Sequence, residues 1–379
     1  MNRLIVLALF LFSLISFRPI KKADETKSSA SNSVIQVAIL LDVSNSMDGL
    51  IDQAKEQLWN LVSILGKADC QGQTPRMEIA LYEYGRPTNN ILNGYVKQIT
   101  PFTTDLDLLS QKLFALKTNG GDEYCGEVIH QSVRDLNWVP SNANTYKVIF
   151  IAGNESFKQG NYSCELACKE AREKGVVINS IYCGNELQGV KEYWNSLVSC
   201  GNGTYSHIDQ NLKEQDISTP FDSSLIALNT QLNETYLPFG SRGVDGYAAQ
   251  ASADKQNLSY SKNLGVKRIA AKANGVVYRN SSWDLVDAQT NDSLFVDRLD
   301  SLSIPENLRH ESRAAIKTYV AGLQVTRTGI QQKIAAVNIQ REAYIRTHTA
   351  IEKPQGPTLQ SELEKIIREQ VQAHNMQIH

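Results

Sequence analysis

Residues 34 to 46 read VIQVAILLDVSNS. From Val34 to Leu41 the only polar side chain is Gln36, and a run this apolar is expected of a strand covered on both faces, at the centre of a parallel sheet. Asp42, Ser44 and Ser46 come immediately after it. Beyond them Ile51, Ala54, Leu58, Leu61, Val62 and Leu65 fall on one stripe at helical spacing. The three oxygen-bearing side chains therefore sit between a buried strand and a helix, where open parallel sheets present their ligand sites. One carboxylate and two hydroxyls suit a hard cation: Mg²⁺, with Mn²⁺ or Ca²⁺ as alternatives. Asp and Ser also cap helices and close turns, so their place at the strand end carries the metal reading.

Outward from this stretch, apolar runs alternate with amphipathic ones. Strands are expected at Met77–Tyr84, Lys147–Ala152, Val176–Tyr182 and Thr204–Ile208, with a short edge strand at Tyr95–Ile99. Helices are expected at Asp105–Lys117, Glu123–Trp138, Ser163–Lys174 and Val190–Val198. This alternation defines an α/β fold with a doubly wound, mostly parallel sheet over residues 34–215.

Past residue 215 the alternation stops, and residues 216–379 read as a mainly helical C-terminal region. One helix is expected at Leu225–Tyr236 and one at Leu359–Val371, while Gly275–Tyr278 fits a turn or a short strand. Between them, positions 316, 320, 323, 327, 330, 334, 337, 341 and 344 alternate four and three apart and are apolar except for Arg327 and Arg341. This predicts a long helix with one seam, weakened by Gly322 and Gly329 and docked on neighbouring helices that include 359–371. Self-assembly through the same seam is the alternative. The group Tyr278, Arg279, Trp283 and Asp284 reads as core or as a docking point.

The chain of 379 residues carries 38 basic and 40 acidic side chains, and without a long basic run it offers no nucleic-acid groove. Residues 1–17 resemble a signal or anchor segment, too short in its apolar part to span a bilayer, and 18–33 a flexible leader. Export to the periplasm or cell surface is expected, with membrane association through the N-terminal segment if that segment is retained. The six cysteines fall between Cys70 and Cys200, and in an exported chain they read as disulfides or buried thiols rather than a zinc site. Cys125 also admits a nucleophile reading, but no histidine stands in a triad context.

The strand ending in DVSNS resembles the metal-ion-dependent adhesion site of von Willebrand factor A domains. That family takes a Thr from a second loop and an Asp from a third, and here the corresponding segments are LKTNGGDEYCG (116–126) and IFIAGNESFKQG (149–160). Asp122 takes the place of the Thr and Gly153 that of the Asp, with Asn154 and Glu155 as neighbouring substitutes. LYEYG (81–85), GGDEYCG and FIAGNESF together resemble exported bacterial proteins carrying this domain. The resemblance implies a metal site of Asp42, Ser44, Ser46 and Asp122, joined by Glu155 and Asn154. The resemblance implies nothing of the ligand; the leading reading is a protein-binding adhesion or scaffold module without catalysis, whose protein ligand meets the metal face. Tyr82 and Tyr84, at a strand end on this face, are candidates for a binding rim or for half-buried packing. A metal-dependent hydrolase using Asp42 and Asp122, and a metal-free assembly protein, are the competing readings.

Overall fold

A computed structural model describes residues 33–209, 211–212, 217–349 and 357–378. The expected leader, 1–17 and 18–33, lies outside the described residues except for Ser33. In chain order the elements of the sheet region are β1 (Val34–Asp42), α1 (Asp48–Leu65), β2 (Ala68–Asp69), β3 (Arg76–Tyr84), β4 (Lys97–Thr103), α2 (Leu106–Ala115), α3 (Cys125–Asp135), β5 (Thr145–Gly153), α4 (Cys164–Glu173), β6 (Val177–Cys183), α5 (Glu186–Lys191), α6 (Ser196–Gly201) and β7 (Tyr205–Ile208). The helix expected at 190–198 is thus two short ones, α5 and α6.

Six strands form one sheet of order β4-β3-β1-β5-β6-β7, parallel except for the edge strand β4, which pairs antiparallel with β3 through an irregular register. The apolar run of β1 lies between β3 and β5, with Asp42 opposite Tyr84. Its side chains divide as a pleated strand requires. Ile35, Val37 and Leu41 face the core under α1 and α2, while Ala38 and Leu40 face the core under α3 and α4. On the second face Cys168 and Cys200 form a disulfide and Cys125 and Cys164 are buried free thiols, while Cys70 and Cys183 are buried free thiols of the first face.

The helical region comprises α7 (Asp222–Asn233), α8 (Gly243–Tyr260), α9 (Lys262–Lys272), α10 (Leu285–Asn291), α11 (Phe295–Arg298), α12 (Arg313–Thr349) and α13 (Leu359–Gln370), then β8 (Gln377–Ile378), which pairs with β2. It shares one core with the sheet. Leu225, Leu232, Leu264, Ile269, Trp283, Ile330 and Ile334 belong to the same buried cluster as Ile35, Leu58 and Leu61. Trp59 of α1 donates to Asn257 Oδ1 of α8 at 2.6 Å, beneath the Arg268 guanidinium. The described residues lie in one compact unit, Asn32–His379.

The long seam forms, and its two arginines are part of it. Ile316, Val320, Ile330 and Ile334 are buried, and so are Arg327 and Arg341. Arg327 bridges Asp284 and Asp287, each at 2.8 Å, and Arg341 meets Asp222 at 2.9 Å. A buried guanidinium needs such carboxylate partners to offset its desolvation, so the interruptions are the points that lock α12 onto α7 and α10. The seam is spent within the chain, which removes it as a surface for self-assembly. Helix α13, expected beside α12, instead lies along α1 and buries Leu359, Leu363, Ile366 and Ile367 in the shared core. Tyr278 and Trp283 are buried, and 275–277 is a turn.

Candidate metal centre

β1 delivers Asp42 to the carboxyl edge of the sheet, where it is fully buried. The next loop turns back on it, with the Ser44 amide donating to Asp42 Oδ1 at 2.7 Å and the Ser44 and Ser46 hydroxyls 3.2 Å apart. Backbone bonds fasten this loop on both sides: Val43 N donates to Tyr84 O at 2.9 Å, and Val43 O accepts from Asn119 N at 2.8 Å. Asn45 Oδ1 accepts from Gly120 N at 2.7 Å, and the Thr118 hydroxyl donates to Asp48, so the second loop is tied to the first at three points. The third loop arrives through Asn154, whose Nδ2 donates to Ser46 Oγ at 3.1 Å.

The acidic residue that the second loop contributes is Glu123. Sequence position points to Asp122, but its side chain is exposed and lies at Tyr124. Glu123 is 6 % exposed, and its amide donates to Gln159 Oε1 of the third loop at 3.2 Å. A glycine separates the two carboxylates. A Cβ placed on Gly85 would stand 2.9 Å from Asp42 Oδ1 and 3.0 Å from Glu123 Cγ. Glu155 is exposed at the mouth, where Gln159 Nε2 donates to its Oε2 at 3.4 Å. The structure therefore brings Asp42, Ser44, Ser46 and Asn154 together, adds Glu123 and places Glu155 beside them.

This packing of acidic groups has an electrostatic signature. Burial pushes Asp42 up to about 7, with the charge of Glu155 adding to the rise and the Ser44 amide and hydroxyl opposing it. Glu123 rises to about 8, through burial first and then the charges of Asp42 and Glu155. Asp42 Oδ2 is buried with no hydrogen-bond partner. A native carboxylate oxygen in that state requires a specific explanation. An all-oxygen donor set, an orphaned carboxylate oxygen and uncompensated negative charge fit a hard divalent cation. Among the described residues no cluster of three or more His, Cys, Asp and Glu side chains stands at metal-binding spacing, so any such site depends on the serine hydroxyls.

Tyr82 and Tyr84 form no rim, because both are fully buried in the core beneath α3 and α4. Tyr82 OH accepts from Gln98 Nε2 at 2.9 Å, and Tyr84 OH donates to Ala152 O at 3.0 Å. Cys125 is a buried thiol, 3.9 Å from Tyr84 OH and pushed well up by burial, the opposite of what a nucleophile needs.

A doubly wound sheet at whose carboxyl edge the α2–α3 loop and the loop after β5 converge on an Asp-x-Ser-x-Ser turn is the architecture that the resemblance to von Willebrand factor A domains implies. No protein-family model matches the sequence, and no curated relative matches it. Similar solved structures include the BatB protein of Bacteroides thetaiotaomicron, 18% identical over 46% of this chain and 90% of that one, with a TM-score of 0.35. The SpRpn10 VWA domain is 14% identical over 46% of this chain and 88% of its own, with a TM-score of 0.34. Proximal thread matrix protein 1 of the mussel byssus, with a zinc-occupied MIDAS motif, is 12% identical over 46% and 42%, also at 0.34.

Proposed function

We propose that this chain is an exported, non-catalytic binding module in which Asp42, Ser44, Ser46 and Glu123 hold a divalent cation at the face that meets a partner protein. Asn154 orients Ser46, and Glu155 stands at the mouth. The observation that carries this reading is Asp42 Oδ2, a buried carboxylate oxygen with no partner, set beside two hydroxyls and a second buried acid. When bound, a cation there supplies positive charge that offsets the clustered carboxylates and a common centre for the three loops. Mg²⁺ is the metal expected from an all-oxygen set, with Mn²⁺ or Ca²⁺ as substitutes.

The chain's own residues supply the rest. Val43, Asn45 and Asn119 bond the first two loops into one unit, and Gly85 and Gly153 leave room for the acids between them. No described helix is long and apolar enough to cross a membrane. The hydrolase reading needs Asp42 and Asp122 on one cation, and the exposed position of Asp122 argues against it.

Isothermal titration of the full chain with Mg²⁺ and Mn²⁺ tests the proposal. Wild type is expected to give a saturable one-site isotherm that Asp42→Ala abolishes. No heat of binding in a folded wild type would refute it.

A further inference from the structure

The balance of charge at this face carries a second inference, which rests on the metal reading just given. Asp42 and Glu123 flank Gly85, and Gln159 links Glu123 to Glu155, accepting from the Glu123 amide at 3.2 Å and donating to Glu155 Oε2 at 3.4 Å. Three carboxylates thus surround a centre at which Asp42 Oδ2 is buried and unpartnered. A bound divalent cation keeps Asp42 and Glu123 ionised and cancels two of the three charges. The loops around it add Asp48 and Asp122, both exposed.

The basic groups nearby do not restore neutrality. Arg86 is engaged with Glu83 at 3.1 Å and with the Lys117 carbonyl. Lys158 Nζ lies over the Tyr193 ring, 3.5 Å from its centroid, and Lys117 is exposed on the flank of the second loop. With Arg86 paired, Lys117 and Lys158 balance Asp48 and Asp122 at the exposed mouth, and the one negative charge left by the three acids and the cation remains.

We infer that the group this face accepts from its partner is a lysine or arginine side chain seated against Glu155, rather than a carboxylate delivered to the metal. A partner carboxylate would have to approach a centre that remains net negative with the cation bound, in partly buried surroundings where screening by salt is weak. A basic side chain meets the opposite field. Glu155 is the exposed member of the three acids, and among the described residues no basic side chain pairs with its carboxylate, to which Gln159 Nε2 donates at 3.4 Å. A guanidinium or ammonium there makes a charge-assisted hydrogen bond without displacing any residue that holds the centre together.

The test is selection of a random-peptide library on the full-length protein in Mg²⁺, in EDTA, and with Glu155→Gln. The expected result is enrichment of Lys and Arg over the starting library in Mg²⁺, lost in Glu155→Gln while that variant keeps its fold and is still saturated by Mg²⁺ at the concentration used for selection. Enrichment of Asp or Glu, no charge preference, or a basic preference unchanged by Glu155→Gln would each overturn the inference. The metal reading fails separately: a wild type that binds no Mg²⁺ but still selects basic peptides through Glu155 refutes the cation and leaves the ligand class standing.

Discussion

Gly153 is pressed against Tyr84: a Cβ on Gly153 would lie 2.5 Å from the Tyr84 hydroxyl and 3.0 Å from Asp42 Oδ2. Because the hydroxyl is buried and committed to Ala152 O, it has nowhere to move. Any side chain at this third-loop position is therefore shut out, including the carboxylate that the family resemblance leads one to look for. The second loop supplies that charge instead through Glu123.

Gly153→Ala is accordingly expected to cost about 1–3 kcal/mol of stability, the usual range for overpacking a closed core. Chemical denaturation midpoints measure this. Adding Tyr84→Phe, which removes the opposing oxygen, is expected to recover part of the loss, and a double variant no better than the single one would rule the contact out as its cause.

Glu123→Gln and Asp122→Asn separate the buried acid from the exposed one beside it. The first is expected to weaken Mg²⁺ binding by roughly 10-fold or more, about 1.4 kcal/mol, while the second leaves it within a factor of two or so, as for a surface change away from the site. Titration calorimetry on both variants decides which residue belongs to the centre.

A buried ion network gives the fold its acid sensitivity. Asp254 accepts from Arg268 at 2.7 Å and Lys272 at 2.6 Å, and both cations are fully buried. Burial alone would raise this carboxyl, but Lys272 and Arg268 hold it well below its ordinary 3.8. Its folded pKa being the lower one, the stabilisation is present at pH above 3.8 and is lost as pH falls toward the folded value. Asp254→Asn is expected to cost roughly 3–5 kcal/mol at pH 7, because it leaves the buried Lys272 without a counter-charge and Arg268 with Asp107 alone, at 2.7 Å. Denaturation at a series of pH values should also show a shallower loss of stability below pH 4 in the variant, since its missing carboxyl no longer contributes.

Gly322 and Gly329 stand on α12 with nothing within 4 Å of where a Cβ would lie. No close approach explains either glycine. Gly322→Ala and Gly329→Ala are each expected to stabilise the chain by about 0.5–1 kcal/mol, through helix propensity and a less flexible unfolded state. Thermal melts test this, and a fall in midpoint would overturn it.

The helices that escape a reading of the sequence have a common cause. α8 turns Gln250, Ala253, Asp254 and Asn257 inward, and α9 buries Arg268 and Lys272 among its apolar residues. A helix that buries polar side chains leaves weak hydrophobic periodicity, the signal on which such reading depends. Arg327 and Arg341 look like defects in a seam for the same reason, until their partners on α7 and α10 are seen.

Local sequence determined the sheet and the first loop of the site. An apolar run long enough to be covered on both faces has one natural place, the middle of a parallel sheet, and the residues at its C-terminal end must then lie at the carboxyl edge. Asp42, Ser44 and Ser46 were therefore legible from chain order alone. Which acid completes the group was not, because Asp122 and Glu123 differ by one residue in a loop with no repeating period to assign their faces. Only the tertiary packing decided it: Gly85 opens the space that Glu123 enters, Tyr84 closes the space that a residue 153 side chain would need, and both constraints come from strands distant in sequence.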